Sequence, residues 1–450
     1  MASAYLSRTN GTETTRTKAT VSFWIKYNGK TSTTCVIASS TDGNSTFYFL
    51  VEFKPDLDVQ IRDGSGSVYL RRRSNAKYRD VNGWYHVVVS FDSTLGTADD
   101  RLKVYVNGER ITSFSDNTGT VGSNYNCPLF KTNSPIRIGS DTNGGNNLEG
   151  CLTHFHATDG TAYDADTFGE TDSTTGIWKP KTSPSVTYGT NGFFLDFADS
   201  SAMGNDVSGN NNDLTVSGTI TQTIDTPSNV FATLNPLNVP SANAPTFANG
   251  NTKSTTPGST GRFGGTSTLG MSKGKYYWEA KYVITGLARG GFGITYDPGE
   301  QARNNTTASN YADCWEYQSE SGYVRNNNSV LDTEATYANG DIVMCALDLD
   351  NNYVYFGKNG TWINSGDPTS GSSGTGGYAI TADETYFTIT SDNTSGSDQQ
   401  TYEYNFGNGY FGTTAVSSAG TNAGVGTFEY DVPNGYKALC TKSINEQEYS

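Results

Sequence analysis

The stretch Gly340–Trp362, GDIVMCALDLDNNYVYFGKNGTW, constrains the fold more than any other part of the chain. Gly340-Asp341 reads as a turn. Ile342 to Leu349 is almost wholly apolar, the pattern of a strand covered on both faces, with Asp348 and Asp350 breaking one parity. Asp350-Asn351-Asn352 is turn chemistry, because Asn and Asp tolerate positive φ and bond their own backbone. Tyr353–Phe356 returns as an aromatic and β-branched strand, and Asn359-Gly360 marks a second tight turn. The two runs are expected to pair as an antiparallel hairpin near the centre of a sheet, with Trp362 anchoring the segment after it.

A chain of 450 residues is too long for one ordinary β-sandwich and suits two or three domains. Glycine (51 residues) and tyrosine (28) are abundant and only 17% of residues are charged, so turn formers outnumber good helix formers. The net charge of -15 argues against nucleic acid as a partner, because binding phosphates needs a basic surface. No window approaches the apolar length of a membrane span. The first residues, MASAYLSRTNGTETT, lack an apolar core, so no secretory signal is expected. The cysteines (Cys35, Cys127, Cys151, Cys314, Cys345 and Cys440) form no CxxC pair. They read as free thiols of a protein folded in a reducing cytoplasm, with Cys151 and Cys345 as small buried hydrophobes.

Along the chain, short strands recur between Gly, Asn and Asp clusters, which predicts an all-β protein. Thr20–Tyr27 alternates as a half-buried strand, with Val21, Phe23 and Ile25 on one face and Ser22, Trp24 and Lys26 on the other. Trp84–Phe91 is a strong strand, Leu102–Val106 its partner, and Asn107-Gly108 a hairpin turn. Further on, Tyr276, Trp278, Ala280 and Tyr282 share one face of Lys275–Ile284. In Gly290–Tyr296 the glycines allow close backbone approach. Ser365–Gly377 has the composition of a flexible loop, and Phe428–Asp431 reads as a late strand.

Gly340-Asp341, Leu347-Asp348-Leu349-Asp350, Tyr353–Phe356 and Lys358-Asn359-Gly360 resemble, in order and spacing, the core signature of the SPRY domain. The resemblance implies a bent β-sandwich used for binding. TVSFWIKY at Thr20–Tyr27, Trp84-Tyr85-His86-Val87-Val88, Val104–Gly108 and Ile138-Gly139 resemble laminin-G-like, concanavalin A-like lectin/glucanase domains. Residues 158–237 are similar to a connector of marine tailed-phage structural proteins, where such a domain often precedes a SPRY domain. The expected fold is therefore two antiparallel β-sandwich, jelly-roll-like domains in tandem. The lectin-like sandwich would span residues 1–222, the connector 223–228 and the SPRY-like sandwich 229–450. The phage resemblance implies a virion protein, made in the host cytoplasm: a fibre, tail appendage or capsid decoration. Its implied partners are other virion proteins and host-surface glycan, with homo-oligomers allowed and no membrane insertion.

Catalytic chemistry would have to rest on the acids and histidines. Glycan hydrolysis needs two carboxylates, about 5 Å apart for retention, and the superfamily carries them as Glu-x-Asp-x-(x)-Glu. Glu170-Thr171-Asp172 begins that spacing and no Glu completes it. Asp56 and Asp58 come after Pro55 in a predicted loop, and Asp348 and Asp350 read as turn caps. His154 and His156 fall on one strand face, but nothing nearby supplies a third metal ligand. The laminin-G-like resemblance implies a calcium rim, for which Asp42, Asn44, Asp141 and Asn143 are the candidates, against a plain turn role. Arg71-Arg72-Arg73, with Lys77 and Arg79, would meet a phosphorylated glycan or decorate a strand edge. Tyr311, Trp315, Tyr317, Tyr323 and Trp362 lie near the loops that bind ligands in SPRY domains, with core packing as the competing role. The expectation is a non-enzymatic binding protein requiring no cofactor. The alternatives are an atypical glycan-degrading enzyme and a purely structural decoration protein.

Overall fold

The computed structural model describes residues 4–29, 34–40, 48–62, 67–258, 263–304, 308–392 and 398–448. The chain separates into two compact units, Met1–Gln222 and Thr223–Ser450. Each contains two large antiparallel sheets.

In the first unit one sheet runs Phe114–Asp116, Val68–Ser74, Leu57–Arg62, Tyr48–Phe53, Cys35–Ser40, Pro135–Ile138, Tyr5–Thr9, Thr215–Ser217. The other runs Phe193–Leu195, Gly150–Asp159, Lys18–Tyr27, Trp84–Asp92, Leu102–Val106, Glu109–Arg110. Alternate residues of these strands meet between the sheets: Val21, Phe23 and Ile25 pack with Val51, Phe53, Val59, Ile61, Val87 and Val89. Thr20–Tyr27 was expected to be half-buried, yet Ser22, Trp24 and Lys26 are buried too. The cause is a second layer. Val88 and Tyr105, on the far face of that sheet, pack against Tyr163, Ala165, Phe168, Trp178 and Val186. Much of the segment read as a connector thus belongs to this domain. Phe193–Leu195 returns into its sheet by pairing with Phe155–Ala157.

In the second unit the larger sheet runs Thr246–Ala248, Lys253–Thr255, Gln399–Asn405, Lys275–Thr285, Ile342–Asp348, Tyr353–Lys358, Thr361–Trp362. The smaller runs Phe263–Thr266, Phe387–Asp392, Gly290–Thr295, Cys314–Gln318, Tyr323–Asn326, Ser329–Thr333. The Ile342–Asp348 strand pairs with Lys275–Thr285 on one side and Tyr353–Lys358 on the other, so the expected hairpin is central. Its two faces enter different clusters. Val343, Cys345 and Leu347 join the inter-sheet core with Tyr276, Trp278, Ala280 and Tyr282. Met344 and Ala346 join Tyr277, Tyr355, Phe428 and Tyr436 on the other side.

Three expectations are corrected. Phe428–Asp431 is not a strand; it crosses the second face of the larger sheet as irregular chain. Ser365–Gly377 is closed by its own hydrogen bonds, among them Asp367 N–H to Thr375 O (2.9 Å) and Thr375 N–H to Ser370 Oγ (2.9 Å). Cys151 is half-buried, while Cys345 is fully buried; all the cysteines are free.

The Asn-Gly turns behave alike in the two domains. Asn107 (φ 50°) donates its N–H to His86 O and accepts His86 N–H on Oδ1, each at 2.8 Å. Asn359 (φ 49°) makes the same pair of bonds with Ile342, again each at 2.8 Å. The side-chain amide supplies the acceptor that a further ladder residue would have supplied. Asn359→Ala should remove that acceptor and strain a left-handed backbone, costing about 2 kcal/mol. Urea unfolding should show a lowered midpoint with an unchanged slope.

Candidate functional site

The closest approach to a catalytic pair is at His86. It lies in the Trp84–Asp92 strand with Nε2 2.9 Å from Ser22 Oγ, the spacing of a nucleophile and its base. Its Nδ1 receives a hydrogen bond from Trp178 Nε1–H at 3.0 Å. Indole nitrogen only donates, so Nδ1 is bare and Nε2 carries the proton, which it gives to Ser22. A histidine so locked cannot take a proton from that serine. The ring is fully buried and stacked on Trp24, with centroids 4.8 Å apart. His156 is equally enclosed, between Phe194 (3.9 Å, stacked) and Phe168 (5.0 Å), with Nδ1 2.8 Å from Tyr188 Oη. His154 sits at a strand irregularity with φ 46°, its Nδ1 3.0 Å from Thr153 Oγ1.

The acids are likewise occupied. Asp58 belongs to the Leu57–Arg62 strand, not to the loop expected, and is fully buried. Arg71 and Arg73 converge on it: Arg71 Nε donates to Oδ1 at 2.9 Å and Arg73 Nη2 to Oδ2 at 2.9 Å. Gln60 Nε2 bridges Asp58 Oδ2 (3.1 Å) and Glu52 Oε2 (3.3 Å). Burial pushes both carboxyls up, against the pull of Lys54 and Arg71. The arginine run is therefore neither a free patch nor a strand-edge decoration: Arg72 points the other way and donates to Thr118 O and Gly119 O. Asp172 accepts from Thr174 N–H, Thr175 N–H and Lys179 Nζ, the last holding it well below the usual range. Asp348 caps its turn as expected, through Asn351 N–H at 3.0 Å, and accepts Lys275 Nζ at 2.8 Å.

Of the calcium candidates, Asp42 and Asn44 lie outside the described residues. Asp141 uses both oxygens on its own loop: Oδ1 accepts Asn143 N–H (2.9 Å) and Gly145 N–H (2.8 Å), and Oδ2 accepts Asn146 Nδ2 (2.8 Å). Asn143 contributes its backbone there. Among the described residues no three His, Cys, Asp or Glu side chains converge as a metal site.

Glu279 is the buried acid that sequence reading passed over. It is fully buried on the second face of the larger sheet. It accepts Glu429 N–H on Oε2 and Tyr430 N–H on Oε1, each at 2.9 Å, and Tyr277 Oη–H at 2.8 Å. Burial outweighs those donors and pushes its carboxyl up to about 7. The carboxylate thus stands in for a strand partner to the irregular 428–431 segment.

The aromatic candidates divide by strand parity. Trp315 and Tyr317 point between the sheets and are core, Tyr317 at 0% exposure. They are corrected as ligand contacts, because alternation along Cys314–Gln318 turns them inward. Trp362, on an edge strand of the larger sheet, is half-buried edge-on to Tyr277 at 6.2 Å. Tyr311 is half-buried beside Asn310. Tyr323 opens into a cleft of about 240 Å³ that Arg289, Asn310, Gln318, Glu320, Ser321 and Arg325 also line. The arginines were missed; inward Val324 would have placed Arg325 beside Tyr323 on the outer face.

The sequence model of the concanavalin A-like lectin/glucanases superfamily (Laminin_G_3) matches residues 2–167, and that of the SPRY domain matches residues 275–371. The chain carries these two domains in that order. Among solved structures it is similar to the SPRY domain of human HERC1: 18% identity over 34% of this chain and 86% of that one, TM-score 0.26. It is similar to the native heptameric SAP-like pentraxin from Limulus polyphemus: 17% identity over 36% of this chain and 72% of that one, TM-score 0.27. It is also similar to the TRIM65 PSpry domain: 12% identity over 38% and 91% respectively, TM-score 0.29.

Burial lowers His86 to about 3 and His156 well below its ordinary value, so both are neutral when folded. The unfolded chain binds protons that the native chain refuses below about pH 6.5. The stabilisation is full above that pH and falls by up to about 1.4 kcal/mol per histidine per unit towards the folded values. His86→Gln should flatten the slope by about one proton, read from denaturation midpoints between neutral and mildly acidic pH. Glu279→Ala strands several buried donors and should cost about 3–5 kcal/mol. Limited proteolysis should then cut at residues 428–437 before other sites.

Proposed function

We propose that this chain is a non-enzymatic binding protein whose two sandwiches present loops and clefts to a saccharide or to a neighbouring protein. The two domain families support a carbohydrate- or protein-binding role. The observation that carries the non-enzymatic part is the Ser22–His86–Trp178 chain: the nearest approach to a catalytic dyad is locked in the unproductive tautomer. Asp58, Asp172, Asp348 and Glu279 support it as well, each holding structural donors. No cofactor is needed in this reading.

The finer reading is a tailed-phage virion protein, acting as a fibre, tail appendage or capsid decoration. The domain order and the resemblance of residues 158–237 to a segment of marine tailed-phage structural proteins support it. Its partners would be neighbouring virion proteins and host-surface glycan, and its place the particle. Net charge of -15 favours such a role over nucleic-acid packaging.

The test combines two measurements on the purified full chain. A glycan array and co-sedimentation with purified particles should show saturable association, and incubation with host polysaccharide should release no reducing ends. Release of reducing ends would restore the enzyme, and absence of any association would remove the binding role.

A further inference from the structure

The cleft on the smaller sheet of the second domain carries chemistry its surroundings leave unused. Its volume, about 240 Å³, lies below the range of drug-sized sites and suits a single sugar residue. Two guanidinium groups line it, on an otherwise acidic chain. Nε of Arg289 and Nε of Arg325 are buried and have no hydrogen-bond partner. Arg325 donates from Nη2 to Asn328 O (3.1 Å) and Oδ1 (3.2 Å). Glu320 Oε2 stands 3.7 Å from Arg289 Nε, and its side chain is 63% exposed, which makes it a weak and displaceable partner.

Both arginines stand on fixed backbone. Arg325 lies in the Tyr323–Asn326 strand, opposite Glu316 in the sheet register. Arg289 N–H is held by buried Gln400 Oε1 at 3.0 Å and Tyr282 Oη at 3.1 Å. The Nε atoms are buried, but the Arg289 side chain is 30% exposed, and the planar end of a guanidinium group matches a carboxylate, which accepts two parallel hydrogen bonds. The remaining lining is the Glu320 carboxylate, which would have to leave Arg289 or bond a sugar hydroxyl, together with the amides of Gln318 and Asn310, the Ser321 hydroxyl and the Tyr323 ring, groups that suit sugar hydroxyls and a pyranose face.

We propose that this cleft binds the carboxylate of an acidic sugar, a uronate residue within a host or matrix polysaccharide. The proposal rests on the binding reading above and names its ligand class. Arg325 and Arg289 take the carboxylate, and Tyr323 covers the ring.

The experiment is calorimetric titration of the full chain with tetragalacturonate, against neutral galactotetraose and tetraglutamate. Binding of the uronate alone is expected, weakening as salt rises. Arg325→Gln and Arg289→Gln should each weaken it at least about tenfold, the loss of a charge-assisted hydrogen bond, with unchanged melting. Arg325→Lys keeps the charge, loses the fork and should recover little; it decides the matter if a glutamine variant fails to fold. No uronate binding, equal binding of the neutral sugar, binding unaffected by all three variants, or preference for tetraglutamate overturns the proposal. If particle association survives such a result, only the ligand is lost and the binding role stands.

Discussion

The constraint on which the rest depends is that the central strands are buried on both faces. Ile342–Asp348 sends Val343, Cys345 and Leu347 to one cluster and Met344 and Ala346 to another. Trp84–Asp92 does the same, with Val87 and Val89 inward and Val88 under the layer around Phe168. A covered second face yields more apolar burial, at roughly 25 cal/mol per Å². It also takes water away from every polar group there, so each must find a protein partner or cost about 1–3 kcal/mol. Glu279, His86, His156 and Asp58 are answers to that demand. Their perturbed ionisation is a consequence of position in the fold, and strongly shifted groups here mark architecture more than chemistry.

That distinction separates what sequence reveals from what it hides. Strand alternation identified the inter-sheet core well, because a strand's own residues encode which face is apolar. Tyr276, Trp278, Ala280 and Tyr282 share that face as expected. The continuous apolar run of the central hairpin even showed that two faces were covered. What covers them was not legible. Glu279 meets a backbone donor 150 residues away, and Trp178 meets His86 at a separation of 92. No local pattern carries such pairings. Thr20–Tyr27 alternates in polarity, so it read as half-exposed; its Ser22 and Trp24 face the protein layer supplied by residues 163–186.

The same logic sorts the surface. Composition pointed to aromatic residues near loops, yet composition is blind to parity. Tyr317 and Tyr323 are alike as residues and opposite in role, because one alternates inward and the other outward. Glycine leaves room on the outward face of that sheet for the side chain of a neighbouring strand. A Cβ at Gly291 would collide with the Glu316 carboxylate, and one at Gly293 with the backbone carbonyl of Trp315. The expected close backbone approach in GGFGITY is therefore real, and it is what admits the Glu316 side chain over Gly291 from the neighbouring strand.

The Asn-Gly turns show how local chemistry and the two-faced burial support one another. The first N–H beyond the last ladder pair of a strand buried on both faces has no ladder partner of its own. An Asn placed there in the left-handed region closes that ladder with its own amide, and a glycine after it completes the reversal at little cost. Asn107 and Asn359 reach the same geometry in domains of different family, as the shared hydrogen-bond problem requires, without any need for common descent. Asn359 goes further: its Nδ2 donates to Asp341 Oδ1 at 2.7 Å, while Asp341 Oδ2 accepts Ala338 N–H at 2.8 Å. Both turns lie at the open end of the hairpin, so Asn359 ties the Gly340-Asp341 turn to the one beside it. The polar groups of these turns are thus held within the fold, whereas the guanidinium groups of Arg289 and Arg325 line a cleft on the smaller sheet.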